Sequence, residues 1–165
     1  MATTLPIPIE FELPDGWFAA PPDDVGADGA AFVALHPASE RAGFTANITI
    51  SGELRMDMAT LSDIADESIN RLGETAGQVA LANRTEVGTA DAPGLTQVVT
   101  LRPIINGAQR NLAQCQVYLS MVDEEDDRKR AIVQLALTAT PDQLDRVVPD
   151  FQKFVSTVRP DRTAA

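Results

Sequence analysis

Between Gly107 and Thr138 polar and apolar residues alternate in two runs separated by a charged interruption, and no other stretch restricts the fold as strongly. Arg110 to Val122 reads as one strand, Asp123 to Arg130 as a turn, and Ala131 to Thr138 as the returning strand of a long β-hairpin. Successive side chains of a strand point to opposite faces. Ala113, Cys115, Val117, Leu119 and Met121 therefore share one face with Val133, Leu135, Leu137 and Ala139. The opposite face is mixed, with Arg110, Gln114, Gln116, Tyr118 and Ser120 answered by Gln134, Ala136 and Thr138. A sheet with one greasy and one mixed face is antiparallel in character, and a helix must cover the greasy side.

The remaining segments supply the partners. Ile7, Ile9, Phe11 and Leu13 alternate with Pro8, Glu10 and Glu12 in a first strand that stops at the turn Pro14-Asp15-Gly16-Trp17; the proline predicts an edge or a strand start. Trp17, the only tryptophan, is expected to close the end of a core. Ala30 to His36 and Phe44 to Ser51 read as two more strands, the second with a clear Phe44, Ala46, Ile48, Ile50 alternation. From Asp57 the period changes: Leu61, Ile64, Ala65, Ser68 and Leu72 form one helical stripe, capped by Asp57 or Thr60 and ended by Gly73 or Gly77. This stripe is expected to cover part of the greasy sheet face. Val79 to Val87 and Leu95 to Arg102 add two strands before the hairpin. Thr140, Pro141 and Gln143 then announce a final helix with a capping box, and Leu144, Val147, Val148, Phe151, Phe154, Val155 and Val158 form its apolar stripe. Pro149 should kink or locally break that helix, and Pro160 should end it.

A chain of 165 residues fits one domain, residues 1–165, and can bury roughly 70% of its unfolded surface without staples. Its 24 acids against 13 bases give a formal charge of −11, a field that repels phosphate backbones and disfavours nucleic acid. No apolar run approaches the length of a membrane span. No signal peptide is visible at the start, which makes a cytoplasmic protein the expectation and leaves the Asn-X-Thr triplets at Asn47 and Asn83 as chance matches.

Reactive constellations are scarce. One histidine, His36, and one cysteine, Cys115, cannot build a His/Cys metal site, so no metal and no cofactor are expected. Cys115 lies among apolar neighbours on its strand and reads as buried and inert. His36 could pair with Ser39 or Ser51, but no Gly-x-Ser-x-Gly elbow exposes a nucleophile. Gly26-Ala27-Asp28-Gly29 lacks the lysine of a phosphate loop, and the Asp123 to Arg130 run lacks the ligand spacing and glycine of a calcium loop. The positive feature is the mixed sheet face. Arg102, Arg110, Gln114, Gln116, Tyr118 and Gln134 place hydrogen-bonding groups beside an aromatic ring, as a partner-docking face would. The same residues also suit the partly wet side of an antiparallel sheet, or a surface beneath the second helix.

The element order of three strands, a helix, four strands and a helix, with Phe11-Glu12-Leu13-Pro14-Asp15-Gly16-Trp17, Ala46-Asn47-Ile48 and Phe151-Gln152-Lys153-Phe154-Val155-Ser156-Thr157-Val158, resembles the Mog1/PsbP-like superfamily. In particular it is similar to the small actinobacterial LpqN-type members. The resemblance implies an α+β fold: an α/β/α sandwich around a mostly antiparallel six- or seven-stranded sheet. It also implies a binding protein without catalytic machinery, since relatives engage a Ran-type GTPase, attach to a photosystem or chaperone secreted effectors. LpqN-type relatives are commonly lipoproteins, whereas no lipobox cysteine stands near Ala2. The functional expectation is a non-catalytic adaptor with a protein partner and a possible homodimer. Its alternatives are a small-ligand-binding protein or weak hydrolase, and a chaperone for apolar segments.

Overall fold

The computed structural model describes residues 5–25, 29–42, 44–75, 77–89, 93–105, 107–122 and 129–160. Its centre is the expected hairpin. Strand β9 (Leu112–Val122) pairs antiparallel with β10 (Arg130–Ala139) in one unbroken register, Gln134 opposite Tyr118 and Leu135 opposite Val117. Of the expected turn, residues 123–128 lie outside the described residues, as do residues 26–28 of the glycine-bounded segment.

Around the hairpin lie β2 (Phe18–Ala20), β3 (Phe32–Leu35), β4 (Asn47–Arg55), β5 (Gln78–Gly88) and β6 (Pro93–Arg102). They complete a seven-stranded antiparallel sheet of order β2-β3-β4-β10-β9-β6-β5. Two minor pairings flank it: β1 (Ile9–Glu10) with β11 (Arg159–Pro160), and β7 (Ile104–Ile105) with β8 (Ala108–Gln109). The expected first strand thus shrinks to two residues outside the main sheet. Pro6, Pro8 and Pro14 remove ladder donors along that segment. The segment instead packs across one sheet face, where Phe11 meets Phe32 and Phe154 edge to face. Gly52 admits it, because a Cβ there would lie 2.9 Å from Pro6 Cδ and 3.1 Å from Leu5 Cδ2. The edge it leaves vacant is taken by β2, too short to show a period.

Helix α2 (Pro141–Thr157) covers the greasy face. Val147, Phe151 and Phe154 pack on Ile48, Ile50, Val117, Val133, Leu135 and Leu137 in the main core. Its capping box forms as expected, and Gln143 also donates to the carbonyls of Ser39 and Phe44, at 3.1 and 2.7 Å. The helix runs through Pro149 without a break, and Pro149 and Asp145, whose carbonyl loses its donor, both lie on the exposed side of the helix. Trp17 closes one end of this core, its indole N–H donating to Asp150 at 3.0 Å and its ring lying 4.9 Å from His36.

Helix α1 (Leu61–Thr75) corrects an expectation. It packs over β5, β6 and β9 on the mixed face, setting Ile64 and Ala65 against Leu95, Tyr118 and Ile132. The greasy face is left to α2 and the N-terminal segment. Thr60, rather than Asp57, caps α1: its hydroxyl accepts from the Asp63 N–H while Asp63 accepts from the Thr60 N–H, both at 3.1 Å. The chain then turns at Gly77, whose φ of +75° and whose approach to the Arg102 carbonyl exclude a side chain.

Candidate cleft beside the first helix

Because α1 sits over β5, β6 and β9 and reaches β10 at Ile132 and Gln134, most of the same face of β4 and β10 is left without a helix above it. The result is an open cleft of about 600 Å³. Thr49, Ser51 and Glu53 of β4 and Ile132, Gln134 and Ala136 of β10 form its floor, with Gln114 of β9 at one side. Ser68, Arg71, Leu72 and Glu74 of α1 form its wall. The floor follows from register, since Gln134 stands opposite Ser51 and Ala136 opposite Thr49. It offers amides, hydroxyls and the Glu53 carboxylate, and the wall brings one guanidinium and one carboxylate.

The position of α1, and therefore the cleft, is fixed by two arginines. Arg55 donates to Glu67 on α1 at 3.0 Å with two separate nitrogens, to Asp57 at 2.7 and 3.1 Å, and to Glu53 at 3.0 Å. Such a site holds Arg55 even more firmly protonated than usual, chiefly through Glu67. Its hydrogen bonds also hold the Asp57 and Glu67 carboxyls below the ordinary carboxylate range. Arg130 donates to the carbonyls of Asp57 and Ala59 at 3.1 and 2.7 Å, which ties the segment before α1 to β10.

Beneath α1 the mixed face is sealed by a ladder of side chains. Arg84 Nε donates to Gln97 Oε1 at 2.8 Å, Gln97 Nε2 to Gln116 Oε1 at 2.6 Å, Gln116 Nε2 to Gln114 Oε1 at 2.6 Å, and Gln114 Nε2 to Thr138 Oγ1 at 2.9 Å. The Tyr118 hydroxyl gives Gln116 Oε1 a second donor at 2.9 Å. Arg84 is itself held by Asp66 of α1 at 2.8 Å. Every buried amide of this row thus has partners, as burial demands.

The six residues of the expected docking face separate accordingly. Gln116 and Tyr118 are 0% and 1% exposed, so the aromatic ring at its centre is covered, and desolvation pushes the Tyr118 phenol up. Gln114 and Gln134 line the cleft, and Tyr118 only borders it. Arg102 lies exposed near the far end of β6, bonded to Asn111 and Gln78, and Arg110 is half-buried. Ser51, Arg71 and Glu74, which the sequence reading did not select for this face, complete the cleft. Only the alternation that put Ser51 and Thr49 on one side of β4 hinted at them.

Ser39 and His36 do not form a catalytic pair. The Ser39 hydroxyl donates to the His36 carbonyl at 2.6 Å and accepts from the Ala46 N–H at 2.8 Å. Ser51 opens into the cleft, which His36 does not line. Cys115 is half-buried rather than fully buried as expected, and desolvation pushes its thiol up. Among the described residues no group of three or more His, Cys, Asp or Glu side chains is placed to hold a metal ion. Nor is any described helix long and apolar enough to cross a membrane.

No protein-family model and no curated protein sequence matches the chain. Solved structures do share its fold. LpqN of Mycobacterium tuberculosis, involved in cell envelope biogenesis, superposes with a TM-score of 0.62 at 12% identity over 92% of this chain and 83% of its own. Cyanobacterial PsbP from Synechocystis gives 0.63 at 15% identity over 93% and 86%, respectively. The Saccharomyces cerevisiae Ran-binding protein Mog1p gives 0.56 at 11% identity over 94% and 92%. Two helices on a seven-stranded antiparallel sheet, matched by these structures along nearly the whole chain, make this a Mog1/PsbP-like α+β fold.

Proposed function

We propose that the chain is a non-catalytic protein-binding or adaptor domain whose docking site is the cleft beside α1, and that it stands nearest in role to the LpqN-type members of its fold. The observation that carries this reading is the uncovered half of the sheet face. Strands β4 and β10 present Thr49, Ser51 and Gln134 beside α1, with Gln134 reaching Ser68 at its margin, while the neighbouring half is sealed beneath the helix. A recognition surface needs polar groups on fixed elements, and these stand on two paired strands. That a yeast protein of this fold is Ran-binding supports a protein as partner.

The test is affinity capture from native lysate on the immobilised chain. Ser51→Arg, which fills the cleft from its floor, is compared with wild type and with Asp145→Arg on the exposed side of α2. A stoichiometric protein held by wild type and by Asp145→Arg but lost by Ser51→Arg is the expected result. Equal capture by all three, or capture of nothing, would remove this site. Tyr118→Ala is unsuitable, because that ring is core. A second reading, a small polar ligand, draws support from the cleft volume and from Arg71, Glu53 and Glu74 lining it. Mass spectrometry of the captured material under native conditions separates the two.

A further inference from the structure

The sheet has two edges, and they differ. Strand β2 is three residues long, as safe edges usually are. Strand β5 has eleven residues, pairs only with β6, and is exposed at every position except Val79 and Arg84, which are half-buried. It contains no proline and no lysine, the commonest blocks to edge pairing. Its one irregularity is a bulge between Leu81 and Asn83, after which Asn83 to Gly88 run in regular register against Val98 to Pro93. Val87 is exposed within that run.

We propose that this segment of β5 pairs antiparallel with the same segment of a second copy, joining two sheets across a two-fold axis at Thr85. The register follows from charge. A two-fold antiparallel pair can be centred on any residue, but centring on Arg84 or Glu86 sets like charges against each other. Centring on Thr85 sets Arg84 opposite the second copy's Glu86, and Glu86 opposite its Arg84, with threonine on threonine between them. Threonine on threonine is a favourable cross-strand pair, and Arg84, which keeps Gln97 and Asp66 as partners, offers the second copy's Glu86 an attractive charge rather than a like one. Arg84-Thr85-Glu86 is therefore its own complement when read in the opposite direction, whereas an unrelated strand would match it only by chance. Helix α1 packs on one face of β5 as well as on β6 and β9, while the outer edge of β5 pairs with no described strand. The formal charge of −11 on each copy opposes association at long range, so the contact is weak and is favoured where salt screens that repulsion.

The experiment is analytical ultracentrifugation of the full chain at about 0.5 M ionic strength, with wild type, Thr85→Glu, Thr85→Lys and an equimolar mixture of the two variants. Thr85 is exposed, and far-UV circular dichroism checks that each variant is folded. Wild type is expected to dimerise reversibly. Each variant places a charge against its own copy and weakens the dimer at least about tenfold. The mixture recovers a one-to-one heterodimer, identified by native mass spectrometry. Glu86→Arg, which sets arginine against Arg84, weakens the wild-type dimer independently. Wild type that stays monomeric up to about 1 mM, a dimer indifferent to all three substitutions, or a mixture of folded variants that stays monomeric would each overturn the proposal. None of these results depends on the cleft, so docking and self-pairing are tested separately.

Discussion

Replacing Gln116 by leucine tests how far the fold depends on the buried amide row. Gln116 accepts from Gln97 Nε2 and from the Tyr118 hydroxyl, and donates to Gln114. Leucine fits roughly the same volume but offers none of these bonds. Gln97 and Tyr118 are each 1% exposed, so water cannot replace the lost acceptor. Each stranded donor costs about 1–3 kcal/mol. Gln114 borders the cleft and can hydrate, so its loss is smaller. Burying leucine returns about 1 kcal/mol, which leaves a destabilisation of about 3 kcal/mol, a large share of the 5–15 kcal/mol typical of a domain. Urea unfolding followed by circular dichroism reads this as a fall of about 1.5 M in midpoint, with little change in slope. The double variant Gln97→Leu with Gln116→Leu removes donor and acceptor together and should cost less than the sum of the two single changes. A loss below about 1 kcal/mol in the single variant, or strict additivity in the double, would show that the row is not stabilised by its internal bonds.

Three further substitutions, one of them a control, probe the frame of the cleft. Gly77→Ala combines a φ of +75° with a Cβ 2.6 Å from the Arg102 carbonyl oxygen and should destabilise by about 2–4 kcal/mol in urea. Gly107→Ala, with φ +80° but open space, should cost only about 1–2 kcal/mol; equal losses would mean that contact with Arg102 is irrelevant. Arg55→Met should return the Asp57 and Glu67 carboxyls toward the ordinary carboxylate range in a carbon-detected NMR titration. In the wild type both are lowered on folding, so their contribution is present above the unfolded value and is lost as pH falls through the lowered folded values. Unchanged titration in the variant would refute the role given to Arg55.

The hairpin was legible because a period of two fixes which residues share a face once both strands are long, and Gln134 and Tyr118 lie on one face as it requires. The assignment of helices to faces was misread, although the signal was present. The α1 stripe contains Ser68, which reaches Gln134 at 3.4 Å, while the α2 stripe is uninterrupted by polar residues over Val147, Phe151 and Phe154. Polarity of stripe matches polarity of face, and that rule would have set α1 on the mixed side. The insertion of β10 between β4 and β9 was not legible, because it pairs segments distant in sequence. The cleft inherits this limit. Gln114 and Gln134 could be selected from the hairpin alone, whereas Ser51 and Arg71 become their neighbours only through that pairing and through the offset of α1.

The row of amides also has a direction. In each link the oxygen faces Arg84 and the nitrogen faces Thr138, so three glutamine dipoles point the same way along a path across four strands. An isolated buried amide can turn over at little cost, but here one reversal would set donor against donor on one side and oxygen against oxygen on the other. The sense of the whole row is dictated from one end, because a guanidinium can only donate. Arg84 thus acts as the polariser of a wire that begins at the outer strand and ends on β10, next to the cleft. A residue that accepts hydrogen bonds, placed at position 84, would therefore have to reverse every amide in the row.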